Sequence, residues 1–294
     1  MGKSISVRVP VRIDLAGGWT DVPEYCNDHM GGVINIAINR YIHARMDIDD
    51  ERRISVQYHS DVPVGSGLGT SGALNVALLS TILNEEKNEE QIAELAFKFE
   101  ALLGNTGGRQ DQWASAKGGI QHLRFQGDRV ESENLDIDPE FIRKIERNFL
   151  LFDSKMTHIS GDLHSKVWAK YRTGDRRINQ TLGEMSALVD EMRVAITTNQ
   201  FQSMCSVLQR TTECVDQLGR EFNEPFRDIL QPHLGKTVAA WKVMGAGAGG
   251  VVGVMLKHEK FSKDIIKLGE ESGWSLLEWR TEYLGIHRQI SHHE

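Results

Sequence analysis

Residues 62–72 read VPVGSGLGTSG and lead directly into ALNVALLSTIL, residues 73–83. Four glycines, Gly65, Gly67, Gly69 and Gly72, let the backbone come close to a ligand, and the apolar spacing that follows predicts a helix. The free N–H groups at a helix start, aided by its dipole, favour an anion. With Ser66, Thr70 and Ser71 supplying hydroxyls, a triphosphate suits the segment; a lone Thr or Ser, by contrast, would be read as an ordinary helix cap. No G-x-x-x-x-G-K-[ST] is present, and Ser71 lacks the second flanking glycine of G-x-S-x-G, which sets aside the Walker loop and the hydrolase elbow.

Upstream, SISVRVPVRIDLA alternates apolar and polar positions and GGVINIAINRYIHARMDID continues in β-branched style, which predicts an N-terminal sheet. Downstream, EEQIAELAFKFEALLG is a second helix closed by glycine, and residues from Asp162 to about Gly219 are mostly helical. WKVMGAGAGGVVGVMLKHEK then reads as strand, glycine loop and strand, followed by the amphipathic helix FSKDIIKLGEESG and a last strand-like stretch SLLEWRTEY. Gly245 to Gly250 satisfy G-x-G-x-x-G, but a strand follows where a dinucleotide fold needs a helix, so the segment is read as a second glycine loop beside the same pocket or as a tight hairpin. The expected fold class is α+β in two halves, residues 1–150 and 151–294, sharing an interface because no linker composition separates them.

Composition narrows the function classes. A net charge of −7 gives no general attraction to nucleic acid, and no run approaches the roughly 20 apolar residues of a membrane span. No secretory pattern opens the chain, and three cysteines without C-x-x-C spacing argue against a disulfide framework, so a cytoplasmic setting with reduced thiols is expected. Phosphoryl transfer needs a metal ion at the phosphates and a group that takes the attacking hydroxyl's proton. Glu100, late in its helix, suits the first role, and Asp111, in GGRQDQ, the second; taken singly they would be a solvated helix charge and a turn or cap residue.

PVRIDLAGGWTD, PVGSGLGTSGAL and KVMGAGAGGVVGVM, in this order, resemble the three signature motifs of the GHMP kinases, the superfamily of galactokinase, homoserine kinase, mevalonate kinase and phosphomevalonate kinase. LAGGWTD together with GGRQDQWASAKGG resembles its sugar 1-kinase branch, comprising D-glycero-D-manno-heptose 7-phosphate kinase and L-fucose kinase. The resemblance implies a ribosomal S5 domain 2-like N-terminal half and a ferredoxin-like C-terminal half, with ATP and Mg2+ bound in the cleft between them. By position it implies Asp111 as catalytic base with Arg12 beside it, and Ser71 and Glu100 as the metal ligands. ATP phosphates would meet Pro63, Gly65, Ser66, Gly67, Leu68, Gly69, Thr70 and Ser71, with Gly245, Gly247 and Gly249 shaping the cleft. Gly18, Thr20, Asp21, Arg109 and Gln110 would meet the sugar.

The stretch between Asp47 and Pro63 is shorter than the family's, and His158 stands where sugar 1-kinases carry an arginine. Arg109 points to a phosphorylated heptose and Trp19 to fucose; a kinase for another alcohol such as mevalonate, or a sensor without turnover, are the alternatives. Lys155, Lys242 and His158 are candidates to line the pocket, though solvated surface charge is the stronger reading for each, and His287, His292 and His293 are read as a polar terminus. The expected partner is a small sugar or sugar phosphate, with no nucleic acid or membrane; oligomeric state is left open.

Overall fold

The computed structural model describes residues 2–83, 87–104, 107–156, 161–245 and 247–293. In chain order they form β1 (Gly2–Gly17), α1 (Pro23–Cys26), β2 (Gly31–Ile48), β3 (Ile54–Ser60), α2 (Thr70–Ile82), α3 (Glu89–Leu102), α4 (Gln110–Lys117), β4 (Ile120–Gln126) and β5 (Arg129–Asn134). There follow α5 (Pro139–Asn148), β6 (Phe149–Asp153), α6 (Gly161–Arg172), α7 (Arg176–Thr197), α8 (Phe201–Leu218), α9 (Glu224–Leu230), β7 (Val238–Val243), β8 (Val251–Leu256), α10 (Ser262–Glu271), β9 (Ser275–Leu277) and β10 (His287–His293).

Two antiparallel sheets carry the molecule. The first runs β10-β1-β2-β4-β5, with β3 also on β2. β2 changes neighbours along its length: Gly31–Ile36 pair with β4 and Ile42–Ile48 with β3. The register of β1 on β2 shifts between Pro10 and Val11, where proline has no N–H to give. The second sheet runs β7-β8-β6-β9, which numbers 2-3-1-4 along the chain and is the ferredoxin-like order.

Helix starts follow local chemistry. Asn88 and Gln91 form a capping box at α3, and Asp138 and Asp175 accept backbone N–H groups at α5 and α7. α2 and α4 pack on β1 and β2, α7 lies on the same strands, and α8 contacts both β1 and β7. One core cluster therefore joins residues as distant as Val9, Val76, Leu188 and Met244, while Phe152, Phe226, Trp241 and Trp274 gather in a second cluster with Val252 and Val254. All three cysteines are buried and unpaired, and burial pushes their thiols up to about 11 for Cys26 and about 12 for Cys205 and Cys214, which keeps them unreactive at neutral pH.

The expected strand SLLEWRTEY is reduced to Ser275–Leu277, because the backbone after it turns to pair elsewhere: Asn39 N donates to the Arg280 carbonyl, and Ile38 bridges Thr281. The tail expected as a polar terminus is instead β10, registered against β1 from Gly2–His293 to Arg8–His287. Its polar composition suits an edge strand with a solvated outer side. Among the described residues no helix is long and apolar enough to cross a membrane.

Candidate active site

The 62–72 segment forms a loop on three successive left-handed glycines, Gly65, Gly67 and Gly69, at φ 76°, 79° and 77°. The loop is pinned at its base. The buried Leu68 side chain belongs to the core and its carbonyl accepts Arg12 N at 3.0 Å, and the Ser66 carbonyl accepts Val251 N at 2.8 Å. Gly69 caps α2 without any side-chain hydrogen bond, so the first N–H groups of the helix are left for a ligand. The Ser66 hydroxyl, 2% exposed, is likewise without a partner. Uncapped donors, an orphan hydroxyl and left-handed glycines fit a polyphosphate.

The second glycine loop abuts the first, as expected of a shared pocket: a Cβ at Gly245 would fall 2.7 Å from the Gly67 carbonyl oxygen. Gly247 lies against Phe222, whose carbonyl accepts Ala248 N at 2.7 Å; Gly249 takes φ 143° and Gly250 N donates to the Met156 carbonyl at 3.0 Å. Pro63 is exposed at the loop's entry, and Thr70 is buried at the start of α2.

Asp111 sits in the first turn of α4, and α4 packs so closely on α2 that a Cβ at Gly72 would lie 2.6 Å from the Asp111 Cβ. Arg12, buried in β1, donates from Nε at 2.8 Å and Nη2 at 2.5 Å to Asp111 Oδ1, and from Nη1 to the Gly67 carbonyl at 2.5 Å. Burial alone would lower the Arg12 pKa, but Asp111 and Asp14 raise it above its ordinary value, so the guanidinium stays charged. Ser71 Oγ donates to Glu100 Oε1 at 2.5 Å, and Gln112 Nε2 holds the other Glu100 oxygen. Among the described residues no three His, Cys, Asp or Glu form a preformed metal cage. Mg2+ bound here would draw on Ser71, Glu100 and the nucleotide's own oxygens, which is its usual donor set.

The residues expected to meet a sugar surround the Gly17–Asp21 turn. A Cβ on Gly18 would stand 3.5 Å from Asp14 Oδ2 and 3.6 Å from Gln110 Nε2. Thr20 is fully buried and its hydroxyl staples the turn to β2 through both the N–H and the carbonyl of Gly32. Asp21 Oδ2 accepts Gln110 N at 3.1 Å, while the Gln110 Oε1 atom has no partner. Arg109, 3% exposed, stacks 4.6 Å from the Phe97 ring centroid, with Nε and Nη1 unpartnered. Its Nη2 reaches the exposed Asp128 at 3.4 Å.

Burial pushes the Asp21 carboxyl up from 3.8 to about 6, with Asp111 adding to the rise. The unfolded chain thus gives up this proton near pH 4 and the folded chain near pH 6, so stability falls as pH rises across that window, by on the order of 3 kcal/mol. Asp21→Asn removes the penalty. The Tm of that variant minus the Tm of the unaltered chain is expected to grow more positive from pH 5 to pH 7.5, by several degrees; a constant difference in a thermal melt series would refute it.

Two neighbours lay outside the sequence reading: Asp14 and Gln112. Lys242, expected as a solvated charge, is 2% exposed and ion-paired to Asp14, because β7 runs through the core. Lys155 is exposed as expected, and His158 lies outside the described residues. Trp19 is 8% exposed and packs with His164, Trp168 and Phe222.

Known proteins resemble this chain in sequence and in fold. Residues 33–119 match the family model described as the GHMP kinases N terminal domain. The D-glycero-alpha-D-manno-heptose 7-phosphate kinase of Campylobacter jejuni is 25% identical across 92% of this chain and 95% of its own. The bifunctional fucokinase/GDP-fucose pyrophosphorylase of Arabidopsis thaliana is 23% identical across 90% of this chain and 31% of its own greater length. In fold, the crystal structure of a D-glycero-D-manno-heptose 1-phosphate kinase from Bacteriodes thetaiotaomicron superposes with a TM-score of 0.78 over 97% of this chain and 98% of that one, at 17% identity. In its motifs, in residues 33–119 and in its fold, the chain is similar to the GHMP kinases.

Proposed function

We propose that the protein transfers the γ-phosphoryl group of ATP to the anomeric hydroxyl of a phosphorylated sugar, with D-glycero-D-manno-heptose 7-phosphate the favoured substrate. The observation that carries the phosphorylated substrate is Arg109: a buried guanidinium with two donor atoms unpartnered is costly unless an anion arrives to complete it. Trp19, the residue shared with fucose kinases, serves packing instead. The heptose 7-phosphate kinase among the relatives supports the same choice.

In this mechanism the sugar oxygen attacks the γ-phosphorus in line, its proton passes to Asp111, and the bond to the departing ADP breaks. Both Arg12 bonds to Asp111 end on Oδ1, so Oδ2 is the oxygen outside the guanidinium's grip and the natural proton acceptor. Arg12 also faces the loop that holds the phosphates and offsets charge on the group in transit. Mg2+, held by Ser71 and Glu100, would neutralise the phosphate oxygens.

ADP release is measured with Mg-ATP across D-glycero-D-manno-heptose 7-phosphate, L-fucose, galactose and mevalonate, for the unaltered chain and Arg109→Gln. The expected result is turnover of the heptose phosphate, with its KM about 10–100-fold higher in Arg109→Gln, the worth of a charged hydrogen bond. Turnover of an unphosphorylated sugar that ignores the substitution would replace this reading with the fucose kinase one, and binding of nucleotide without any turnover would favour a sensor.

A further inference from the structure

Besides the backbone contacts of Gly245 and Val251, the second sheet brings a buried cation to the site. Lys242 of β7 donates from Nζ to Asp14 Oδ2 of β1 at 2.5 Å and to the Val243 carbonyl at 3.2 Å. The other Asp14 oxygen accepts Gly245 N at 3.1 Å, and Arg12 Nη1 lies 3.5 Å from it. Arg12 in turn grips Asp111. Charges therefore alternate along a line, Lys242, Asp14, Arg12, Asp111, in which the first three side chains are 4% exposed or less and Asp111, at 24%, meets the cleft.

A buried ion pair is a poor way to gain stability, since the desolvation of both charges offsets their attraction and an apolar pair would hold two sheets together as well. Its presence calls for something an apolar pair cannot do. Asp14 contacts three parts that must keep register during phosphoryl transfer: the start of the 245–250 loop, the Arg12 guanidinium, and the β7 strand that carries Lys242. Lys242 matters because without its charge Asp14 would compete harder for Arg12 and draw it from Asp111.

We propose that Asp14 and Lys242 form a positioning pair for the kinase reaction, fixing the 245–250 loop against the phosphate loop and dividing the Arg12 guanidinium between two carboxylates so that Asp111 Oδ2 stays outside its grip. The inference rests on reading Asp111 as the proton acceptor. Neither residue touches the reacting atoms; both act through Arg12 and Gly245.

The test uses the full chain with Lys242→Met, Asp14→Asn and the double variant. Each single change strands a buried charge and lowers Tm, whereas the double removes both charges at nearly constant shape and returns Tm toward the unaltered value. In the double variant kcat is expected to remain about 10–100-fold low, the cost of misplacing catalytic groups by about 1 Å, with the sugar KM changed less than about threefold. MgADP affinity, measured by calorimetry, is expected to fall about tenfold as the loop loosens. A loss in either quantity supports the pair's role; recovery of both together with Tm overturns it and leaves the pair purely structural. Should the double variant fail to fold, Asp14→Glu, which keeps the charge one methylene further out, replaces it: lowered kcat in a folded protein supports the proposal and unaltered kcat overturns it. Absence of sugar turnover in the unaltered chain would count against the proposed function, while the MgADP measurement would still read the pair.

Discussion

Asp111→Asn is expected to lower kcat by about 10²–10⁴-fold, with nucleotide affinity nearly unchanged. The substitution keeps the side chain's shape and an oxygen that Arg12 can still bond, so the contact between β1 and α4 persists. What disappears is the oxygen that the proposed mechanism uses to take the hydroxyl proton. The measurement is a single-turnover experiment with Mg-ATP and the sugar phosphate proposed above, which separates the chemical step from product release. A kcat within about threefold of the unaltered enzyme would show that Asp111 only orients the substrate and that solvent takes the proton.

Arg12→Met is expected to damage stability and chemistry together. The guanidinium lies between Asp14 and Asp111 and also bonds the Gly67 carbonyl, so its removal leaves buried carboxylate charge uncompensated. Breaking one side of such a buried pair costs about 3–5 kcal/mol. For a chain of this size that lowers Tm on the order of 10 °C. kcat should fall by about 10²–10³ as the counter-charge near the transferring group is lost. Arg12→Lys is expected to rescue little, because an ammonium cannot supply the Nε, Nη1 and Nη2 contacts at once. A folded Arg12→Met enzyme with Tm unmoved would mean that Asp14 and Asp111 find other partners.

Much of the frame was legible in the sequence because it is written in local signals. Alternation marked β1 and β2, helical spacing after Gly69 marked α2, and the strand following Gly250 ruled out a dinucleotide fold. The glycine loops could be placed in one pocket, since each borders a regular element. Asp14 escaped, and Lys242 reads as a solvated charge, because their meaning is a contact across 228 residues of chain. Their trace was a charged residue inside an apolar run, RIDLA and AAWKV, where a solvated position would break the burial of the strand. Gln112 was hidden in the same way: its role is to hold Glu100, which belongs to another helix. The tail HRQISHH carried too little apolar periodicity to announce a strand, and its pairing is dictated by β1 rather than by its own residues.

That pairing makes completion of the first sheet depend on a contact between distant parts of the chain. From Lys3 to Arg8 one side of β1 pairs with β2 and the other with β10, Gly2 standing opposite His293. Until residues 287–293 dock, one ladder of β1 can form with β2 while the other stays exposed. Before that docking, the open edge is a template for the wrong partner, another copy's strand included.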